Sequence, residues 1–207
     1  MKYFKIFFLI IIFSCSNNHE SKKLQNHQRI DLGEIESDEI LEASGIASSR
    51  FNQNILWTHN DSGDLNRIFA MDINGNHVGE FFLNNVENRD WEDIAIGPGP
   101  MEDVDYIFVG DIGDNRSEND VKYIYRFAEP QVYTNNQSLD INIDNIDQIS
   151  YQYEDGNRDA ETLIVDPITK DIIIISKREE SAVHVYLLPF PHDTENILTA
   201  QLIMTKD

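Results

Sequence analysis

Three short stretches of this sequence begin in the same way, and no other feature restricts the fold so strongly. They are Glu42-Ala43-Ser44-Gly45-Ile46-Ala47, Asp90-Trp91-Glu92-Asp93-Ile94-Ala95 and Asp159-Ala160-Glu161-Thr162-Leu163-Ile164. The shared pattern is acid, any residue, serine or glutamate, any residue, aliphatic, then small or aliphatic. A second, more apolar run follows each start: ILWTHNDSGD, YIFVGDIGDN and IIIISKREES. A third run holding an aromatic comes next: RIFAMD, KYIYRF and HVYLLPF. About 48 residues separate the first start from the second and about 69 the second from the third, with a polar insertion over residues 131–147 in the longer gap. Self-similarity at such a period marks a repeat architecture.

Strand-type runs over residues 55–59, 67–73, 77–83, 106–109, 122–127, 149–153, 161–165, 171–176, 183–190 and 198–205 alternate with turn signals, and no long 3.6-residue period occurs. Asn74-Gly75 is a hairpin turn. The chain is therefore expected to be all-β. Four strands per repeat point to the antiparallel blades of a β-propeller. A two-sheet sandwich is the alternative, but it offers no reason for three matching acidic starts. Three blades do not close a propeller. The expected fold is an incomplete propeller of about three blades over residues 29–207, in a truncated chain, with residues 29–35 as a candidate outer strand of a last blade.

In a blade the first strand lines the central channel, and residues two apart on a strand point the same way. Ser44, Glu92 and Glu161 should then meet near the channel mouth, with Glu42, Asp90 and Asp159 on the same side and Asp93 facing away. Converging carboxylates cannot all ionise without a proton or a cation to compensate. Oxygen ligands without clustered cysteine or histidine favour Ca2+. The candidate metal ligands are thus Glu92 and Glu161, then Glu42, Asp90 and Asp159; bonding to water or backbone N–H groups is the competing explanation. Asp61, Asp64, Asp111 and Asp114 in the DSGD and DIGD loops are either turn residues or secondary ligands. Lys177 and Arg178 either bind an anion at the channel mouth or pair with nearby carboxylates. Trp57 and Trp91 are expected in the core, and His59 in a structural role.

Charge suits a metal cation or a basic partner rather than a polyanion; solubility in a salty or extracellular setting is the competing explanation. The chain carries 16 basic against 37 acidic residues, and residues 1–30 hold five of the basic ones and a single acid. The acidic remainder should repel nucleic acid. That N-terminal segment reads as an address. Lys2 and Lys5 precede a short apolar run over residues 6–13, about half of what spans a bilayer, as in a signal peptide. Ile12-Phe13-Ser14-Cys15 resembles the lipobox of bacterial lipoproteins. This resemblance implies a signal peptide over 1–14, a lipid on Cys15, a flexible tether over 15–28, and a location in the bacterial cell envelope, on the inner or outer membrane. With one cysteine in all, no intrachain disulfide can form.

Ser44-Gly45-Ile46, LWTHNDSGD, DWEDIA, YIFVGDIGDN and DAETLIVDP together resemble an uncharacterised group of bacterial secreted β-propeller lipoproteins. That group is similar, distantly, to β-propeller phytases and esterase-like phytase-related proteins. In the phytases, glutamates at inner-strand starts hold catalytic Ca2+ ions. The resemblance implies this place for Glu92 and Glu161, and a phosphate-holding place for Lys177 and Arg178; Ser44 departs from it. It makes a Ca2+-dependent phosphoester or ester hydrolase the alternative to a surface-binding module.

Overall fold

The computed structural model describes residues 33–133, 139–177 and 182–206. All belong to the unit Leu32–Asp207. Cys15, the signal peptide, the tether and Arg178 lie outside them.

The described residues form thirteen strands and no helix. They are β1 (Ala43–Ser48), β2 (Ile55–Asn60), β3 (Arg67–Asp72), β4 (His77–Leu83), β5 (Trp91–Pro98), β6 (Asp105–Asp111) and β7 (Lys122–Ala128), followed by β8 (Leu139–Ile143), β9 (Asp147–Tyr153), β10 (Asp159–Val165), β11 (Ile172–Lys177), β12 (Val183–Leu188) and β13 (Leu198–Lys206). The all-β expectation holds, and each strand-type run coincides with a strand, except that residues 73, 171 and 189–190 lie just outside theirs.

Two sheets contain these strands. One has the order β1-β2-β3-β4-β8, the other β10-β11-β12-β13-β9-β7-β6-β5. The end strands of the second, β5 and β10, pack against each other, so that sheet is nearly closed. Within this arrangement lie three antiparallel meanders, each opening on one of the acidic starts: β1–β4, then β5-β6-β7-β9, then β10–β13. Strand β5 packs against β1 on one side and β10 on the other, so the three starts stand next to one another.

Two differences from the sequence reading concern the segments around the meanders. The insertion over 131–147 contains β8, which crosses to the first meander and pairs in parallel with β4, from Gly79↔Leu139 to Leu83↔Ile143. Its Ile141 and Ile143 pack against the first core, so a short run with one apolar face becomes an edge strand. The candidate outer strand over 29–35 is absent from its described part, as residues 33–35 form no strand. They belong instead to a strap laid along the first meander. Glu36 N donates to Gly75 O at 2.9 Å, and His77 N donates to the Glu36 carboxylate at 2.7 Å. At the far end of the strap, Leu41 N and Glu42 N both donate to Asn60 Oδ1.

Aromatic side chains fill the spaces between meanders. Trp57, Phe81, Trp91 and Tyr125 are buried between the first and second, with Trp57 edge-on to Phe81 at 5.0 Å. Phe108, Tyr151, Leu163, Ile174 and Tyr186 are buried between the second and third. Each such side chain contributes about 1.5–3 kcal/mol through burial. These two cores hold the three acidic starts in fixed register.

Candidate metal centre

The first strand of each meander begins with a β-bulge, and the bulged residue is the repeated one. In β1 the ladder runs from Ala43↔Asn60 to Gly45↔His59 and leaves out Ser44. In β5 it leaves out Glu92, between Trp91↔Asp111 and Asp93↔Gly110. In β10 it leaves out Glu161, between Ala160↔Ser176 and Thr162↔Ile175. A bulge turns a side chain out of the regular alternation. Two-residue alternation along a regular strand does not contain this device.

The bulges bring carboxylates together in two clusters that share Glu92. One is Asp61, Asp90 and Glu92; the other is Glu92, Asp159 and Glu161. In each cluster, one oxygen per residue lies within 4.8 Å of the others. Asp61 comes from the turn after β2, Asp90 and Glu92 from the start of β5, and Asp159 and Glu161 from the start of β10. Glu92 is the hinge of the arrangement. It is only 5% exposed, and its carboxylate accepts no hydrogen bond from the described residues. Burial pushes its carboxyl up to about 7, helped by Asp61, Asp90 and Asp159 and opposed by Lys177. Burial also raises the Asp90 carboxyl, with Asp61, Asp159 and Asp111 adding to it.

The loop after β6 forms the floor under Glu92. Gly113 N donates to Asp90 O at 3.1 Å. A methyl group on Gly113 would stand 2.5 Å from both Asp90 Oδ2 and Glu92 Oε1, so the carboxylates lie directly on this backbone. Asp111, fully buried, accepts from Arg89 Nε at 2.8 Å and from Asp90 N at 3.1 Å. Burial raises the Asp111 carboxyl against the pull of Arg89. Asp114 accepts from Lys122 Nζ at 2.7 Å and from Glu118 N and Asn119 N. These bonds, Lys122 first, outweigh the upward effect of its burial and hold its carboxyl below the usual range. Asp114 N donates to Asp159 Oδ1 at 2.8 Å, tying the loop to the third meander.

The structure thus brings Asp90, Glu92, Asp159 and Glu161 together and adds Asp61. Glu42 stays apart: it is exposed, and its backbone O accepts from Asp61 N. No meander packs on that side of β1 among the described residues. Asp64, Asp111 and Asp114 each hold a basic side chain, Arg67, Arg89 and Lys122 respectively. Lys177 pairs with Glu161. Asp93, expected to face away, bridges β5 and β10: its carboxylate accepts from Ile94 N and, at 2.8 Å, from Leu163 N of β10. His59 is buried with Nδ1 2.7 Å from Asn60 O and its ring edge-on to Trp91; burial lowers its pKa, and its Nε2 is buried without a hydrogen-bond partner among the described residues. Trp57 and Trp91 are core residues as expected.

The buried Lys122–Asp114 pair leaves little trace in the sequence: a lysine opening an aromatic strand, eight positions after an aspartate. Chemically, the two clusters offer carboxylate oxygens alone, the donor set of a hard divalent cation. The chain matches no protein-family model and no curated protein sequence.

Proposed function

We propose that this chain is a calcium-binding β-propeller lipoprotein of the bacterial cell envelope, held to the membrane by a lipid on Cys15 and acting as a binding or surface module. Three antiparallel four-stranded meanders with their first strands side by side support blades of a propeller. The lipobox-like Ile12-Phe13-Ser14-Cys15 supports the anchor.

One observation carries the calcium reading: Glu92, buried and without a hydrogen-bond donor among the described residues, faces acids on both sides. A carboxylate in that position needs a proton or a metal ion. Calorimetric titration with calcium tests it. The expected result is binding by the wild-type chain and at least a tenfold loss in Glu92→Gln. Absence of binding by the wild type removes the reading.

A Ca2+-dependent phosphoester or ester hydrolase is a second reading, favoured by the Glu92 carboxyl near 7, a value suited to proton transfer at neutral pH. The cations at the clusters count against it. Lys177, Lys122 and Arg89 each already hold a carboxylate, which leaves them poorly placed to grip a phosphate.

A further inference from the structure

The two carboxylate clusters are not equally open to a metal ion. Asp61, Asp90 and Glu92 have no ion pair with any described basic side chain, and the lysine whose field reaches Asp90, Lys122, is held by Asp114. At the second cluster a cation is already in place. Lys177 stands opposite Asp159 in the β10–β11 ladder, and its Nζ touches the Glu161 carboxylate. Its field also reaches Glu92.

The repeat makes this asymmetry sharper. Asp61 follows β2 as Asp111 ends β6. By the first cluster's pattern, Asp111 would join Asp159 and Glu161, but Arg89 holds it instead. Each acid that the second repeat could contribute from its loop is therefore bound to a basic side chain, Asp111 to Arg89 and Asp114 to Lys122. Glu92, 5% exposed and without a hydrogen-bond donor, is left to serve both clusters and points to a ligand beyond the protein's own groups.

We propose that Lys177 is a resident cation that keeps the Glu92–Asp159–Glu161 cluster closed to calcium, so that the chain takes one ion, at Asp61–Asp90–Glu92. The inference rests on the calcium reading above and assigns its stoichiometry and its control. An ammonium on Glu161 and a divalent ion on the same carboxylate repel each other at contact distance.

Equilibrium dialysis of the full chain in detergent against calcium counts the ions bound. Wild type and Lys177→Arg are expected to bind one ion each. Lys177→Met and Lys177→Gln are expected to bind two, the second within tenfold of the first in affinity. Adding Glu161→Gln to Lys177→Met is expected to return the count to one. Circular dichroism identifies any variant that fails to fold, and the two neutral replacements stand in for each other. A count of one in both neutral variants, two in the wild type, or a second ion that survives Glu161→Gln overturns the role of Lys177 and leaves calcium binding intact. A count of zero in every protein overturns both proposals.

Discussion

Asp61-Ser62-Gly63-Asp64 and Asp111-Ile112-Gly113-Asp114 are nearly the same turn, and the molecule uses them differently. Both connect the second strand of a meander toward the third. In both, the last aspartate holds the basic residue that opens the next strand, Arg67 of β3 or Lys122 of β7. The first loop lies at the rim. Gly63 has a φ of +92°, nothing crowds it, and Asp61 is free to turn toward Glu92. The second lies between two meanders. Its Gly113 supports two carboxylates, and its Asp111 and Asp114 are buried in ion pairs. The same local sequence supplies a ligand where one side is open and a packed floor where both sides are covered. Burial, set by the neighbouring strands, decides which.

The largest test of this contrast is to break each loop's ion pair. Lys122 and Asp114 are both almost fully buried, so Asp114→Ala leaves an ammonium without its counter-charge. The expected cost is about 3–5 kcal/mol in urea denaturation, with Lys122→Met milder because it removes the charge itself. In the rim loop, Asp64→Ala leaves Arg67 bonded to Glu80 at 2.7 Å and Glu39 at 3.0 Å. The expected cost there is about 1–2 kcal/mol, close to that of a lost charged hydrogen bond. Equal costs at the two loops would show that burial is not what separates them.

Glu92 provides the next largest effect. Its carboxyl keeps a proton to about pH 7 in the folded chain, against 4.5 for an ordinary glutamate. Unfolding therefore releases that proton between those values, and the metal-free protein loses stability as pH rises through the window. The loss reaches at most about 3 kcal/mol. In a chelator, Glu92→Gln should be the more stable protein at pH 8, and the difference should vanish near pH 4.5. Calcium should restore the wild type at pH 8 and have no such effect on the variant. A wild type unaffected by pH across this window would mean that Glu92 is compensated within the protein itself.

Much of this architecture is legible in the sequence, because strand composition, turn residues and the acidic repeat are local signals. Ile55-Leu56-Trp57-Thr58-His59 and Lys122-Tyr123-Ile124-Tyr125-Arg126-Phe127 form strands where their composition says they should. The three starts also converge as the repeat requires. The less legible features depend on partners distant in sequence. Strand β8 exists because Leu139-Asp140-Ile141-Asn142-Ile143 finds the open edge of β4, a partner from another repeat. The bulges at Ser44, Glu92 and Glu161 break the alternation from which side-chain direction was read. That break is why Asp93 turned out to bridge β5 and β10. Asp61 entered the site, and Glu42 did not, because the first repeat offers serine at the bulge and an exposed edge before it.

The smallest effects come from the two glycines, and they separate stability from binding. Gly63→Ala places a side chain at positive φ in open space, so its cost is conformational, about 1–2 kcal/mol. It touches no carboxylate, and calcium affinity should not change. Gly113→Ala has the opposite profile. Its φ is ordinary, and the groups it strikes are the ends of the Asp90 and Glu92 side chains rather than backbone. The stability cost should be about 1 kcal/mol, at the low end for overpacking. The displaced carboxylates, however, are two of the three in the first cluster, so calcium affinity should fall at least tenfold by calorimetry. If Gly113→Ala binds calcium as the wild type does, the ion does not lie over this loop. If Gly63→Ala weakens binding as much, Asp61 depends on its turn, and the rim loop is part of the site's framework as well as a donor to it.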